Sequence, residues 1–418
     1  MKYIVEGGKK LEGKIKISGN KNSVFPCIAA ALLTSSEVTL ENIPQISDTQ
    51  SLIEILESIG VDVSRKKNTL TIKATKVSGN LPKELMIKLR GSIVLVGAIL
   101  ARVGKVQFYH PGGDIIGKRG IQSHLESFQA VGADYEQDDL SYKLIFKNSQ
   151  KGQIDVFLPE RSVTTTENLI LFCSLGKRIV KLRNCASEPH IVDLCRMLLK
   201  MGVLIKGIGT DTLVIQGKQK LKGVNFRIRA DYIEIGTYAT AAAITKGVIV
   251  MEGLDDTDLD PILLPLKKFG VNCEIDKNNI KFSSTSIKAV PTLITNVWPG
   301  FPTDLMSVFI VLATQSSGVT LCHDWMFESR MFFTDKLMSM GANITIADPH
   351  RVFIYGPSPL KGRELETPDI RAGMALVLAA LIAKGESIIH KAELIERGYE
   401  DPVERLASLG AIIKREEN

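Results

Sequence analysis

Six segments of this chain repeat one short pattern, an apolar helix end, a glycine and the start of a strand: LESIGVDV, FQAVGADY, LLKMGVLI, LKKFGVNC, LMSMGANI and LASLGAII. Their glycines, Gly60, Gly132, Gly202, Gly270, Gly341 and Gly410, follow one another at intervals of 72, 70, 68, 71 and 69 residues. That period exceeds the roughly 20–50 residues of a solenoid repeat. The unit is therefore a small subdomain used six times. A second landmark is an Ala/Leu/Val-rich helix that ends in a small turn before a β-branched strand, as in ILARVGKVQF, AAAITKGVIV, ATQSSGVTLC and LIAKGESIIH. Glycine just past a helix accepts the left-handed backbone that stops it, and the Val/Ile-rich run after it favours a strand. Each unit thus predicts the order strand, helix, strand, helix, strand, strand.

Six units divide naturally into two groups of three, and 418 residues exceed the roughly 250–300 at which a single core stops growing. Two similar α/β domains with a cleft between them are the expectation. Met1–Asn20 alternates Lys and Gly with single apolar residues, unlike a secretory signal, and the apolar stretch Met374–Ala383 is far shorter than the roughly 20 residues of a membrane span. A cytoplasmic protein with no membrane contact is predicted. Six cysteines without a C-x-x-C pair argue against a disulfide framework and against a zinc site. The formal charge of +6 is scattered, with no Lys/Arg block of five or more, so nucleic acid is not an expected partner and a local anion pocket is.

Several short motifs carry candidate chemistry. Ser18-Gly19-Asn20-Lys21-Asn22 sets a lysine at a glycine-supported strand end before a long apolar run, where an anion can sit at a helix N-terminus. Pro111-Gly112-Gly113-Asp114-Ile115-Ile116-Gly117-Lys118-Arg119 places two cations in a Gly/Pro-rich loop of the kind that closes over a polyanion. In Phe301-Pro302-Thr303-Asp304, Thr-Asp reads as the start of a helix over Met306–Ala313. Taken alone, Lys21 is a solvated charge, the 110–120 stretch an ordinary loop and Asp304 a helix cap. Further cations stand in Leu89-Arg90-Gly91-Ser92, Met326-Phe327-Glu328-Ser329-Arg330, Pro368-Asp369-Ile370-Arg371-Ala372 and Ile395-Glu396-Arg397-Gly398-Tyr399-Glu400.

These motifs, in this order and across Val5 to about Ile413, resemble those of the UDP-N-acetylglucosamine enolpyruvyl transferases. The resemblance implies an inside-out α/β barrel fold of two domains. Each holds three βαβαββ-type units, with residues 1–20 plus 230–418 in one domain and residues 21–229, carrying a mobile loop at about 110–120, in the other. It implies transfer of the enolpyruvyl group of phosphoenolpyruvate to the 3-hydroxyl of UDP-N-acetylglucosamine, the first committed step of peptidoglycan precursor synthesis, with neither metal nor organic cofactor. Catalytic roles fall on Asp114 as the acid that protonates the methylene carbon, Asp304 as the base, and Lys21 and Arg397, which with Arg119 meet the phosphate. Arg330 and Arg371 face the carboxylate. Substrate contacts fall on Asn22, Arg90, Arg119, His124, Ser162, Val163, Thr164, Met326, Glu328, Arg330, Asp369 and Arg371. Guanidinium groups suit such a trianion because they bind phosphate and carboxylate bidentately and stay charged when desolvated.

The chain departs from the family pattern in four places. Asp114 stands where most members carry cysteine, which implies resistance to epoxide inhibitors of the fosfomycin type and requires the carboxyl to be protonated when it acts. Gly120-Ile121-Gln122-Ser123-His124 replaces P-x-D-x-H, Ser162-Val163-Thr164-Thr165-Thr166-Glu167-Asn168 replaces S-V-G-A-T-E-N, and Ala186-Ser187-Glu188-Pro189-His190 replaces A-[RK]-E-P-E. The threonine at 164 adds a side chain where backbone meets the nucleotide diphosphate, while offering a hydroxyl donor. Two other readings therefore stand beside the first: a transferase acting on a different nucleotide acceptor, and a non-catalytic paralogue that binds nucleotide or phosphoenolpyruvate. Oligomeric state is left open.

Overall fold

A computed structural model describes residues 1–113, 116–117, 119–147 and 152–417. The chain forms two compact units. One, here the terminal unit, takes residues 1–18 and 230–417 together with Ile116 and Gly117; the other, the central unit, takes residues 19–113, 119–147 and 152–229.

The described strands form six sheets, five of four strands and one of three. Every four-stranded sheet repeats one arrangement, an edge strand parallel to its neighbour followed by two antiparallel pairings. Gln153–Phe157 runs parallel to Ile179–Arg183, which pairs antiparallel with Thr212–Gln216, which pairs antiparallel with Leu204–Lys206. In the three-stranded sheet the parallel edge is reduced to a single bridge, Asn80 to Gln107. This is the βαβαββ unit read from the sequence.

The six landmark glycines explain the repeat physically. Gly60, Gly132, Gly202, Gly270, Gly341 and Gly410 all have φ between 88° and 109°, a left-handed conformation that ends the outer helix of each unit. The second landmark is less uniform. Gly104 and Gly385 take left-handed values, but in AAAITKGVIV the residue at positive φ is Lys246, and Gly247 is needed for another reason: a Cβ there would fall 2.0 Å from the Leu11 carbonyl oxygen.

Each unit is built around three helices, α1 Lys21–Ala31, α2 Leu95–Val103 and α3 Val163–Ser174 in the central unit, and α4 Tyr232–Ile244, α5 Met306–Thr314 and α6 Ile370–Ile382 in the terminal unit. They are apolar on nearly every face and buried along most of their length, as a helix inside a core must be. Close approach of α2 and α3 requires Gly97, whose Cβ would fall 2.2 Å from the Asn168 carbonyl oxygen and whose N–H donates to Asn168 Oδ1 at 2.7 Å. Two separate hydrophobic cores result, one per unit. Because all six helices are filled in this way, their N-termini supply the polar positions on which site residues stand.

The N-terminal strand completes the last repeat. Lys2–Glu6 lies between Glu386–His390 and Ile412–Glu416, antiparallel to both, and Glu12–Lys16 runs parallel to Val248–Glu252. Among the described residues, no helix is long and apolar enough to cross a membrane.

Candidate active site

In the central unit the site residues cluster at helix starts. Asn20 caps α1, accepting from the Ser23 N–H at 2.9 Å, and Lys21 is the first helical residue. Gly19 is obligatory just before it, since a Cβ there would fall 1.8 Å from the Asn42 carbonyl oxygen. The Lys21 side chain is buried and donates to Asp48 Oδ2 at 2.6 Å. It is thus a held cation rather than a solvated one. Asp48 opens the outer helix Ser47–Ser58 and carried no motif by which the sequence singled it out. Asn22, the next residue, is half-buried.

The segment 111–113 packs against Ile87–Arg90. A Cβ on Gly112 would fall 1.6 Å from the Ile87 carbonyl oxygen, and one on Gly113, at φ 115°, would fall 2.8 Å from Arg90 Cβ. Asp114 and Lys118 lie outside the described residues. Arg90 donates to the Gly120 carbonyl at 2.9 Å, and burial together with the like charge of Arg119 lowers its pKa to about 10. Positive charge is therefore concentrated at Arg90 and Arg119 in a partly desolvated setting, which favours an anion.

His124 is buried, with Nε2 3.0 Å from Thr164 Oγ1 and Nδ1 without a hydrogen-bond partner. Burial first, and the Arg90 charge second, lower its pKa to about 3, so the ring is neutral at pH 7. Ser162 caps α3, accepting from the Thr165 N–H at 3.4 Å, and Val163 begins that helix. Thr164, expected to offer its hydroxyl to a diphosphate, has that hydroxyl engaged with His124.

In the terminal unit a carboxylate is set between two guanidiniums. Phe301-Pro302 leads into a 3-10 turn, Thr303–Leu305, that runs on into α5. Asp304 in that turn caps no helix. Its Oδ1 accepts from Arg330 Nη2 at 3.2 Å, and its Oδ2 accepts from Arg371 Nε and Nη2 at 3.2 and 3.0 Å. Both arginines are buried, at 2% and 5% exposure, yet Arg330 Nε and Arg371 Nη1 have no acceptor. Burial lowers the Arg371 pKa, but Asp304, Tyr399 and Asp231 outweigh it and the net shift is upward. An unpaired N–H on a charged, buried group costs free energy unless a ligand supplies the acceptor. Arg330 Nε and Arg371 Nη1 are thereby left as donors for ligand oxygens.

The residues around this group are held from several elements. Asp369 is the true helix cap, accepting from the N–H groups of Arg371 and Ala372 at 2.8 and 3.0 Å and so fixing the start of α6. Buried Asp324 accepts from Thr303 and Thr295 and from the Met326 N–H, which ties the turn bearing Asp304 to the segment Met326–Arg330. Within the terminal unit, Glu328 stands beside Gly117, where an added Cβ would fall 2.4 Å from Glu328 Oε2. Arg397 is half-buried at the end of a 3-10 turn, Ala392–Arg397. The sequence motifs do not single out Asp324, which lies just outside the motif that follows it, or Tyr399, whose ring centroid is 5.3 Å from the Arg371 guanidinium and which stands in a motif read for its arginine. Among the described residues, no group of three His, Cys, Asp or Glu side chains is placed to hold a metal ion.

The family model for EPSP synthase (3-phosphoshikimate 1-carboxyvinyltransferase) matches residues 5–406. A protein of Treponema denticola named UDP-N-acetylglucosamine 1-carboxyvinyltransferase is 43% identical over 99% of this chain and 99% of its own length. The chain belongs to the enolpyruvyl transferase family. A relative of the same name from Borreliella burgdorferi is 44% identical over 99% of this chain and 98% of its own. The crystal structure of an enolpyruvyl transferase from Streptomyces tendae has the same fold, with a TM-score of 0.88 at 24% identity over 99% of this chain and 98% of that one. EPSP synthase of Acinetobacter baumannii superimposes with a TM-score of 0.75 at 18% identity, covering both chains completely. The family's repeat architecture is therefore kept while sequence diverges widely, as expected when six equivalent helices only have to remain apolar.

Proposed function

We infer that the chain transfers the enolpyruvyl group of phosphoenolpyruvate to the 3-hydroxyl of UDP-N-acetylglucosamine and releases phosphate. The observation that carries this reading is Asp304 gripped by Arg330 and Arg371, each buried with an N–H still lacking an acceptor. A carboxylate beside two such cations can take a hydroxyl proton while an anionic substrate completes the guanidinium hydrogen bonds. The full-length relatives bearing the name of this activity support the same reading.

The chemistry balances as an addition followed by an elimination. The acceptor oxygen bonds to C2 of phosphoenolpyruvate as Asp304 takes its proton, and C3 gains a proton from Asp114. In the second step the Asp114 carboxylate takes a proton back from C3, the C2=C3 bond re-forms and the C2–O bond to phosphate breaks, with phosphate leaving. Lys21, Arg119 and Arg397 neutralise the departing phosphate, and Arg330 and Arg371 hold the carboxylate. Fixed donors aimed at developing charge are usually the largest catalytic term. Asn22, His124, Ser162, Val163 and Thr164 contact the nucleotide sugar, with Arg90, Met326, Glu328 and Asp369 supporting the substrate positions. Both substrates are soluble metabolites, which supports a reaction in the cytoplasm.

Phosphate release from phosphoenolpyruvate with UDP-N-acetylglucosamine, followed by mass analysis of the nucleotide, tests the reading. An enolpyruvyl product is expected. Release only with another nucleotide would support the second reading, an altered acceptor, which the engagement of Thr164 with His124 favours. No release with any nucleotide would leave a binding protein.

A further inference from the structure

Lys21 and Asn22 begin α1, and Val163 and Thr164 begin α3. At the other end of these helices, roughly 16 Å away along α1, the central unit opens a cavity of about 1160 Å³. Its walls come from the segments that follow α1, α2 and α3 and from residues 219–221. Four of its side chains are cations, Arg102, Lys177, Arg178 and Lys220, and none of the described lining residues is Asp or Glu. Among the described residues, none of the four is paired with a carboxylate. By contrast, Lys181 and Arg183, on the strand that begins just after Arg178, share Asp155. Arg178 is held in place. It is 8% exposed, its guanidinium lies 4.6 Å from the Phe146 ring centroid and 5.4 Å from that of Phe172, and Nη1 donates to the Val131 carbonyl at 2.8 Å. Two rings and one hydrogen bond fix the orientation of the fork, while its other N–H groups meet no acceptor among the described residues. Burial lowers the Arg178 pKa, and no carboxylate opposes that shift.

We propose that this cavity is a second anion site, separate from the residues at the helix starts, and that it takes a ligand bearing two or more linked phosphates. Arg178 supplies a fixed fork, which suits the bidentate geometry of a phosphate, and Arg102, Lys177 and Lys220 supply charge around it. Helix dipoles alone do not account for these cations. A cation in the last turn of a helix is stabilised by the dipole, which explains Arg102 at the end of α2. Three helix ends together carry only about −1.5 charges, against four full positive ones, so the cavity stays net positive. Carbonyls at those ends are also engaged already. The Leu32 N–H donates to the Ala29 carbonyl at 3.1 Å, the Gly104 N–H to that of Leu100 at 2.9 Å and the Lys218 N–H to that of Ser174 at 3.0 Å. A buried guanidinium without a counter-charge is costly, and an anion in the cavity offsets that cost.

The test is isothermal titration calorimetry on the full chain with inorganic triphosphate and, separately, with ATP, both without Mg²⁺, with melting temperatures measured alongside. Binding is expected, and Arg178→Gln should weaken it about 10-fold or more, the loss of charge-assisted hydrogen bonds from one fork. Should Arg178→Gln fail to fold, the double variant Lys177→Glu/Lys220→Glu carries the same comparison, because both side chains are exposed and their reversal leaves the core untouched. Lys21→Ala, at the far end of α1, should leave the cavity's affinity unchanged. Equal binding of the two probes means that the phosphates alone are read, and binding of ATP only means that the body of the ligand is read as well; either upholds the site. No binding of either probe at millimolar concentration overturns it. So does binding that survives the cavity variants and is lost in Lys21→Ala, since the phosphates then sit at the helix starts. The cavity is independent of the transferase reading, and failure of one leaves the other standing.

Discussion

Asp304 shows how residue-scale chemistry is set by partners far away in sequence. It accepts from Arg330, 26 positions away, and from Arg371, 67 positions away. Replacing it with asparagine removes the proton acceptor, and a fall in kcat of about 10²-fold or more is expected of a lost general base. Phosphate-release kinetics check this. Asp114 carries a chemical prediction instead. Carboxylate is not the soft nucleophile that thiolate is, so incubation with an epoxide inhibitor should add no mass at this position. Asp114→Cys should keep turnover and gain a covalent adduct; an adduct on wild-type protein that vanishes in Asp114→Ala would contradict the prediction. His124 links residue to stability. Its folded pKa, about 3, lies below the ordinary value of 6.5, so the unfolded chain binds its proton first as pH falls. The stability penalty is absent above pH 6.5 and grows as pH drops toward 3, at about 1.4 kcal/mol per pH unit. Urea unfolding of His124→Gln should therefore lose about 2 kcal/mol less between pH 7 and pH 5 than wild-type protein does.

At the scale of elements, the unit is a pair of helices against a small mixed sheet, and the inner helix is the constrained one. The contact of α2 with α3 depends on Gly97 lying against Asn168, whose side chain also donates to the Ile93 carbonyl at 3.1 Å. Gly97→Ala should overpack this contact and cost about 1–3 kcal/mol, read as a lower denaturation midpoint with an unchanged m-value. Local periodicity announced these helices, because a run of small and branched apolar residues without a polar face is a buried helix. It also announced their ends, where a left-handed glycine is the cheapest stop. The turn at Lys246 escaped because the adjacent Gly247 serves close packing rather than a left-handed turn, and residue type alone does not separate the two uses.

For the whole molecule, the closing of the last repeat by Lys2–Glu6 means that two sheet neighbours, Glu386–His390 and Ile412–Glu416, are joined only through the chain's first strand. Deleting residues 1–6 should leave Ile412–Glu416 without its sheet neighbour and Glu386–His390 paired only with Glu364–Glu366, and lower the melting temperature of the terminal unit, which differential scanning calorimetry would show. What the sequence by itself determined was the sixfold count, the order of elements within a unit, the ordered string of motifs and hence the family, because each of these is written in spacing and residue type over a few positions. Tertiary structure alone decided that Lys21 is held by Asp48, that Thr164 is engaged by His124, that Asp324 ties down the turn bearing Asp304, and that the Tyr399 ring lies against Arg371. These depend on side-chain directions and on which helix start faces which, quantities set by the packing of elements distant in the chain, and no local pattern encodes them.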